Sequence, residues 1–212
     1  MYALLFEQCR TNSLVRLNAL VLFVVVYIDW MLMPFVAKLE GLYLPVYMIS
    51  FFMLISASDG IIQPFFKEVR LRTVFYFSAL LDLVQIGVYS LFQTDPELFT
   101  YIILLIFTLQ AITFEVARIH TIDWFQEDVE IKPFLMLRSF VISSATIAGT
   151  LFTLLFDYFG GNNEWLLYIA AGLGLIGIAL QLRLGFRFGR KEAALIEAMK
   201  KEKELLTAQE GV

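Results

Sequence analysis

Cysteine and histidine are almost absent from this chain of 212 residues: Cys9 and His120 are the only ones. A single thiol excludes an internal disulfide and a thiolate metal cluster. A single imidazole leaves no histidine-rich metal site, so no metal ligands are assigned. Charge is scarce as well, at 17% of residues, where a soluble domain carries roughly a quarter. Met1 to Arg10 holds Glu7 and lacks a basic start, and no small-residue cleavage site follows, so no removable signal peptide is expected. No H-E-x-x-H, phosphate loop or G-x-S-x-G is present. His120 and Asp123 read as a helix-end hydrogen bond rather than a catalytic dyad. The chain is therefore not expected to be an enzyme, and neither a cofactor nor a nucleic-acid partner is expected.

Apolar residues make up 59% of the chain, aromatic residues 16%, and the mean hydropathy is +0.75. There is too little polar surface to cover a water-facing globule. A membrane-spanning helix needs about 20 mostly apolar residues, and six segments qualify: 17–35, 46–66, 74–92, 98–117, 135–156 and 165–184. They predict an all-α polytopic bundle over 17–184, between an N-terminal segment 1–16 and a charged tail 185–212. Turn chemistry separates the spans, as in Gln93-Thr94-Asp95-Pro96 and Gly160-Gly161-Asn162-Asn163.

Charge placement gives the bundle a direction. Of the 16 basic residues, all but Lys38 fall on one side of the predicted spans. By the positive-inside rule that side is cytoplasmic. An even number of spans puts both ends there, in a multi-pass protein of the cell (inner or plasma) membrane.

Asp29, Asp59, Asp82 and Glu115 lie inside predicted spans. A carboxylate at the centre of a spanning helix costs about 2.5–3.5 kcal/mol on insertion scales, so it faces a bundle interior or a wet cavity. At 1.5 Å per residue, Asp29 stands about 18 Å from the cytoplasmic start of its span, Asp82 about 12 Å and Asp59 about 10 Å. Asp59 and Asp82 are thus expected to share a layer, where they would bind a proton or another cation. Asp59 has a second reading, because Gly60 and Pro64 make it a candidate for stabilising a kink. Glu115 precedes Arg118 by three residues, the spacing of a same-face structural ion pair.

Small residues mark the last two spans, with Gly149 in the fifth and Ala170, Gly174 and Gly177 in the sixth. They let helix backbones approach closely, either within one bundle or at a sliding or dimerising surface. In the tail, Glu192, Glu197, Glu202 and Glu204 alternate with lysines over 189–209, which predicts a charged helix. It is either a solvated helix or a docking site for a membrane surface or partner.

The pattern resembles one half of a major facilitator superfamily transporter. Asp29-Trp-Met-Leu-Met-Pro34 looks like the family's Asp…Pro signature in drug-exporter branches. Lys67-Glu-Val-Arg70-Leu-Arg72 stands where the family keeps a basic turn, and Arg138 with Ala148-Gly149 resembles its fifth helix. Gln63 and Lys67 stand near positions where the family has glycine and aspartate. The resemblance implies two three-helix repeats of opposite topology and, at half the usual length, a parallel homodimer. It further implies movement of a small solute or ion, with proton coupling through Asp29, Asp59 or Asp82. The other expectation is a non-transport membrane subunit or assembly factor, contacting lipid and a heteromeric partner through its helix surfaces and basic tail.

Overall fold

The structure, a computed structural model, describes residues 10, 12–40, 69–125 and 131–210. Five long helices account for nearly all of them: α1 (Ser13–Glu40), α2 (Leu71–Val88), α3 (Pro96–Phe125), α4 (Ile131–Tyr158) and α5 (Asn163–Glu210). Helix α2 tightens into a 3-10 turn over Tyr89–Gln93 before the loop to α3. No strand occurs among the described residues. All five helices are long and apolar enough to cross a membrane. The expected span 46–66, and Asp59 with it, lies outside the described residues.

The helix boundaries follow from local chemistry. Asn12 Oδ1 accepts from the backbone N–H groups of Leu14 and Val15 at 3.0 and 3.3 Å, capping α1. Asp95 Oδ1 accepts from Leu98 N at 3.0 Å, with Pro96 as the first residue of α3. Asn162 Oδ1 accepts from Glu164 N at 3.0 Å at the start of α5. Helix α4 ends at Tyr158, and the turn after it passes through Gly160, whose φ of +74° suits glycine alone without strain. The sixth expected span and the charged tail form one continuous helix. The turn to charged sequence after Gly189 does not break the helix.

Helix α1 packs mainly on α4, and α2 mainly on α5. Gly149 makes the first contact possible: a Cβ there would stand 2.4 Å from the Tyr27 carbonyl oxygen. One turn on, Thr153 Oγ1 donates to the Met31 carbonyl of α1, next to the site where Pro34 interrupts the helix ladder. Gly174 and Gly177 bring α5 against Ile86 of α2 and Val24 of α1, and Ala170 is fully buried. These small residues therefore face neighbours within the chain.

Among the described residues, two apolar clusters form the core of the bundle, one near each end. The first joins Val15, Val21, Leu71, Phe75, Val116, Phe134 and Leu184. The second joins Ile28, Leu32, Val88, Phe99, Ile103, Phe107 and Leu166. Outward faces are apolar too, with Leu80, Leu105, Ile147, Leu155 and Leu175 each more than half exposed. Apolar surface on every side suits lipid rather than water. The exposed aromatics Tyr158, Phe159, Trp165 and Tyr168 gather at the second cluster's end. Arg16, Arg70, Arg72, Arg118, Arg183 and Arg187 gather at the other. Trp165 and Arg183 are about 27 Å apart along α5, close to the ~30 Å hydrocarbon thickness of a bilayer.

Candidate functional site: a polar layer between two apolar clusters

Between the apolar clusters lies a layer of buried polar groups. On α2 and its 3-10 extension, Ser78, Asp82, Gln85 and Tyr89 recur at spacings of four, three and four, forming one stripe. Gln110 of α3 and Gln181 of α5 meet that stripe. Gln110 Nε2 donates to Asp82 Oδ1 and Gln181 Nε2 to Asp82 Oδ2, each at 2.5 Å. Gln110 Nε2 is shared with Gln85 Oε1 at 3.0 Å, and Gln85 Nε2 donates to the Tyr89 hydroxyl at 3.0 Å. Asp82 is 4% exposed, Gln110 1% and Gln181 0%. Both oxygens of a buried carboxylate are thus served by neutral amides, and no Lys or Arg takes part in these hydrogen bonds. Such charge-assisted bonds are stronger than neutral ones, yet they leave the charge of the carboxylate uncompensated.

Helix α1 brings a second carboxylate. Asp29 and Asp82 line a common cavity of about 10 Å³ together with Gln85, Tyr89, Ile86 and Gly174. That is about the space one water molecule needs. The depth arithmetic separates the two residues by one turn. The cavity they share spans that difference.

Asp29 also opens onto a larger cavity of about 480 Å³ between α1, α3 and α4. Its walls are mostly apolar and include Trp30, Phe107 and Phe114, with the hydroxyls of Ser143 and Thr146. Glu115 and Arg138 line it as well. Arg118 Nε donates to Glu115 Oε2 at 2.6 Å, as the sequence spacing suggests. Arg138 Nη2 of α4 donates to Glu115 Oε1 at 3.0 Å, a partner the spacing does not reveal.

Four sealed oxygens in the bundle have no hydrogen-bond partner among the described residues: Asp29 Oδ1, Ser78 Oγ, Gln110 Oε1 and Gln181 Oε1. A buried acceptor without a donor costs about 1–3 kcal/mol, and native structures hold few of them. Three of the four belong to the Asp82 hydrogen-bond network or to the cavity beside it. Among the described residues, no group of three or more His, Cys, Asp or Glu side chains is placed to hold a metal ion.

Asp29 and Asp82 stand out in the sequence because charge is rare inside spans. The amides do not, although Gln85, Gln110 and Gln181 each interrupt an apolar run and were the available signal. Searches among protein families, characterised proteins and solved structures find no match to this chain.

Proposed function

We propose that this chain is a small integral membrane transport protein that moves a small solute, coupled to a cation taken up at Asp29 and Asp82. The observation that carries the reading is the position of Asp29. It borders both the small cavity shared with Asp82 and the 480 Å³ cavity, and its Oδ1 is sealed without a partner. A carboxylate joining an ion-sized space to a solute-sized space is the arrangement that ion coupling requires. Buried ionisable groups inside spans mark such pathways.

Six spans in two inverted three-helix repeats are part of this reading, and the helix pairing supports it. Taking 46–66 as the second span, a repeat symmetry exchanges the first span with the fourth and the third with the sixth. That exchange turns the α1–α5 pair into the α2–α3 pair, and these two pack to a similar extent. It leaves α2–α5, one of the closest pairs, unchanged. In this reading a six-span bundle completes its pathway against a second such bundle, supplied by a parallel homodimer. The gathering of basic residues opposite the exposed aromatic belt supports cytoplasmic ends in an inner or plasma membrane.

The test is transport by the purified full chain in proteoliposomes loaded with a metabolite extract and read by mass spectrometry. At least one small solute is expected to leave faster than from empty liposomes, and Asp29→Asn to lower that rate at least ~10-fold. Rates indistinguishable from empty liposomes, or unchanged in Asp29→Asn and Asp82→Asn alike, would overturn the proposal.

A second reading rests on α5, which continues as helix to Glu210, well past its apolar part. In that reading the chain is a membrane subunit whose projecting helix docks a partner. A stable heteromeric complex lost on deleting residues 190–212, with no solute moved, would favour it.

A further inference from the structure

Helix α5 meets α1 along a seam whose register is fixed by two contacts. At its basic end, Arg187 Nη1 donates to Ser13 Oγ at 3.3 Å. Deeper in the bundle, Gly177 of α5 faces α1, where a Cβ on it would stand 3.5 Å from Val24 Cγ1. The two helices are therefore antiparallel, with 177–187 of α5 beside 13–24 of α1. That register sets Arg16 and Arg183 at one level. Arg16 is about 4.5 Å of helix rise from Ser13 and Arg183 about 6 Å from Arg187, both toward the bundle centre. One turn deeper, Leu20 and Ala179 share a level in the same way, at about 10.5 and 12 Å. On α5, Ile176, Ala179, Arg183 and Arg187 recur at spacings of three and four, forming one stripe. Arg16 and Arg183 are exposed, Arg187 is partly buried, and Leu20, Ala179 and Ile176 are exposed beneath them.

The three arginines lack what their neighbours have. Arg70 pairs with Glu192, and Arg118 and Arg138 share Glu115. Arg72 and Arg190 lie over the rings of Tyr76 and Phe186. Among the described residues, Arg16, Arg183 and Arg187 form no ion pair. Apolar surface also continues past them, since Leu182 and Phe186, on either side of Arg183, are 45% and 51% exposed. Guanidinium groups set in such surface extend to the headgroup level of a bilayer while their stems cover hydrocarbon.

We infer that the basic end of the α1–α5 seam binds an anionic phospholipid. Arg16, Arg183 and Arg187 hold its phosphate, and one acyl chain runs down over Leu20, Ala179 and Ile176. Guanidinium forks match phosphate oxygens in pairs. Cations without carboxylate partners select a headgroup with net negative charge, because a zwitterionic one brings its own ammonium. The apolar track below the arginines favours a lipid over a free phosphate. From Arg183 to Ile176 that track is about 10 Å long, within the ~15 Å depth of one leaflet. The inference goes beyond the transport reading and requires only that these helices span a membrane.

The test is native mass spectrometry of the purified full chain with chain-matched phosphatidylglycerol and phosphatidylcholine. The wild type is expected to bind phosphatidylglycerol at least ~10-fold more tightly. Combining Arg16→Gln, Arg183→Gln and Arg187→Gln should reduce that preference to about twofold or less. A charge-matched control combines Arg10→Gln, Arg70→Gln and Lys132→Gln and should keep the preference. All six side chains are exposed or partly exposed, so neither set removes a core contact. No preference in the wild type, or an equal loss in the control set, overturns the inference. Displacement of phosphatidylglycerol by an equal concentration of soluble glycerol phosphate also overturns it, because the site would then hold a free phosphate.

Discussion

Among the described residues, the bundle buries carboxylates in two places, and it treats them in opposite ways. Glu115 sits between two guanidinium groups, Arg118 at 2.6 Å and Arg138 at 3.0 Å, so each of its oxygens meets a positive charge. Asp82 sits between two amides, and Asp29 beside it has an oxygen with no partner. The first cluster is closed: its charge is answered within the protein and ties α3 to α4. The second is open: its hydrogen bonds are strong, but its charge calls for something from outside. That contrast separates a structural ion pair from a site, although both involve acidic residues inside apolar helices.

Breaking the closed cluster is expected to have the largest effect on stability. Glu115→Ala leaves Arg138, with a side chain 15% exposed, without its carboxylate. Removing one partner of a buried pair costs about 3 kcal/mol or more, which thermal melting of the purified protein will register as a large drop. Asp82→Leu comes next. It strands the Nε2 atom of Gln181, while that of Gln110 keeps Gln85. The expected loss is about 2 kcal/mol, and Asp82→Asn should lose less, since its side-chain carbonyl still accepts one amide.

Asp29 sharpens the comparison in the other direction. Asp29→Leu removes a carboxylate whose Oδ1 has no donor among the described residues, so that oxygen has no hydrogen bond to lose. The variant is expected to melt at or above the wild-type temperature while losing transport. A melt more than about 1 kcal/mol below wild type would mean that Asp29 has a structural partner like that of Glu115. The smallest effect is expected from Arg70→Ala. Its pair with Glu192, at 3.6 Å and with the arginine side chain 70% exposed, is worth about 0–1 kcal/mol.

The contrast was half legible in the sequence. The Glu115–Arg118 pair follows from a spacing of three on one helix, and Asp29 and Asp82 follow from the rarity of charge within spans. Arg138 joins Glu115 from another helix, 23 residues away in the chain, and no local spacing encodes that. The amides were hidden for a different reason. Glutamine carries no charge, so it does not mark a site as a carboxylate does, and the residues that hold Asp82 look like tolerated interruptions. That Asp29 and Asp82 line one cavity was not legible, because depth along each helix does not tell which faces meet. The charged helix over 189–209 was legible, but its continuity with the sixth span was not, because hydropathy marks where a helix leaves apolar surroundings, not where it stops. Gly185 and Gly189 sit against the side chains of Tyr76 and Arg72 and do not break it.

The account depends on the cavity beside Asp29 being a water-accessible path, which can be measured without knowing the solute. Thr146 lines that cavity, whereas Leu154 on the same helix faces outward and is 52% exposed. In a Cys9→Ser background, Thr146→Cys and Leu154→Cys are each treated in sealed vesicles with a membrane-impermeant thiol reagent. The account predicts labelling at position 146 and none at position 154. No labelling at 146, or equal labelling at both, would contradict it.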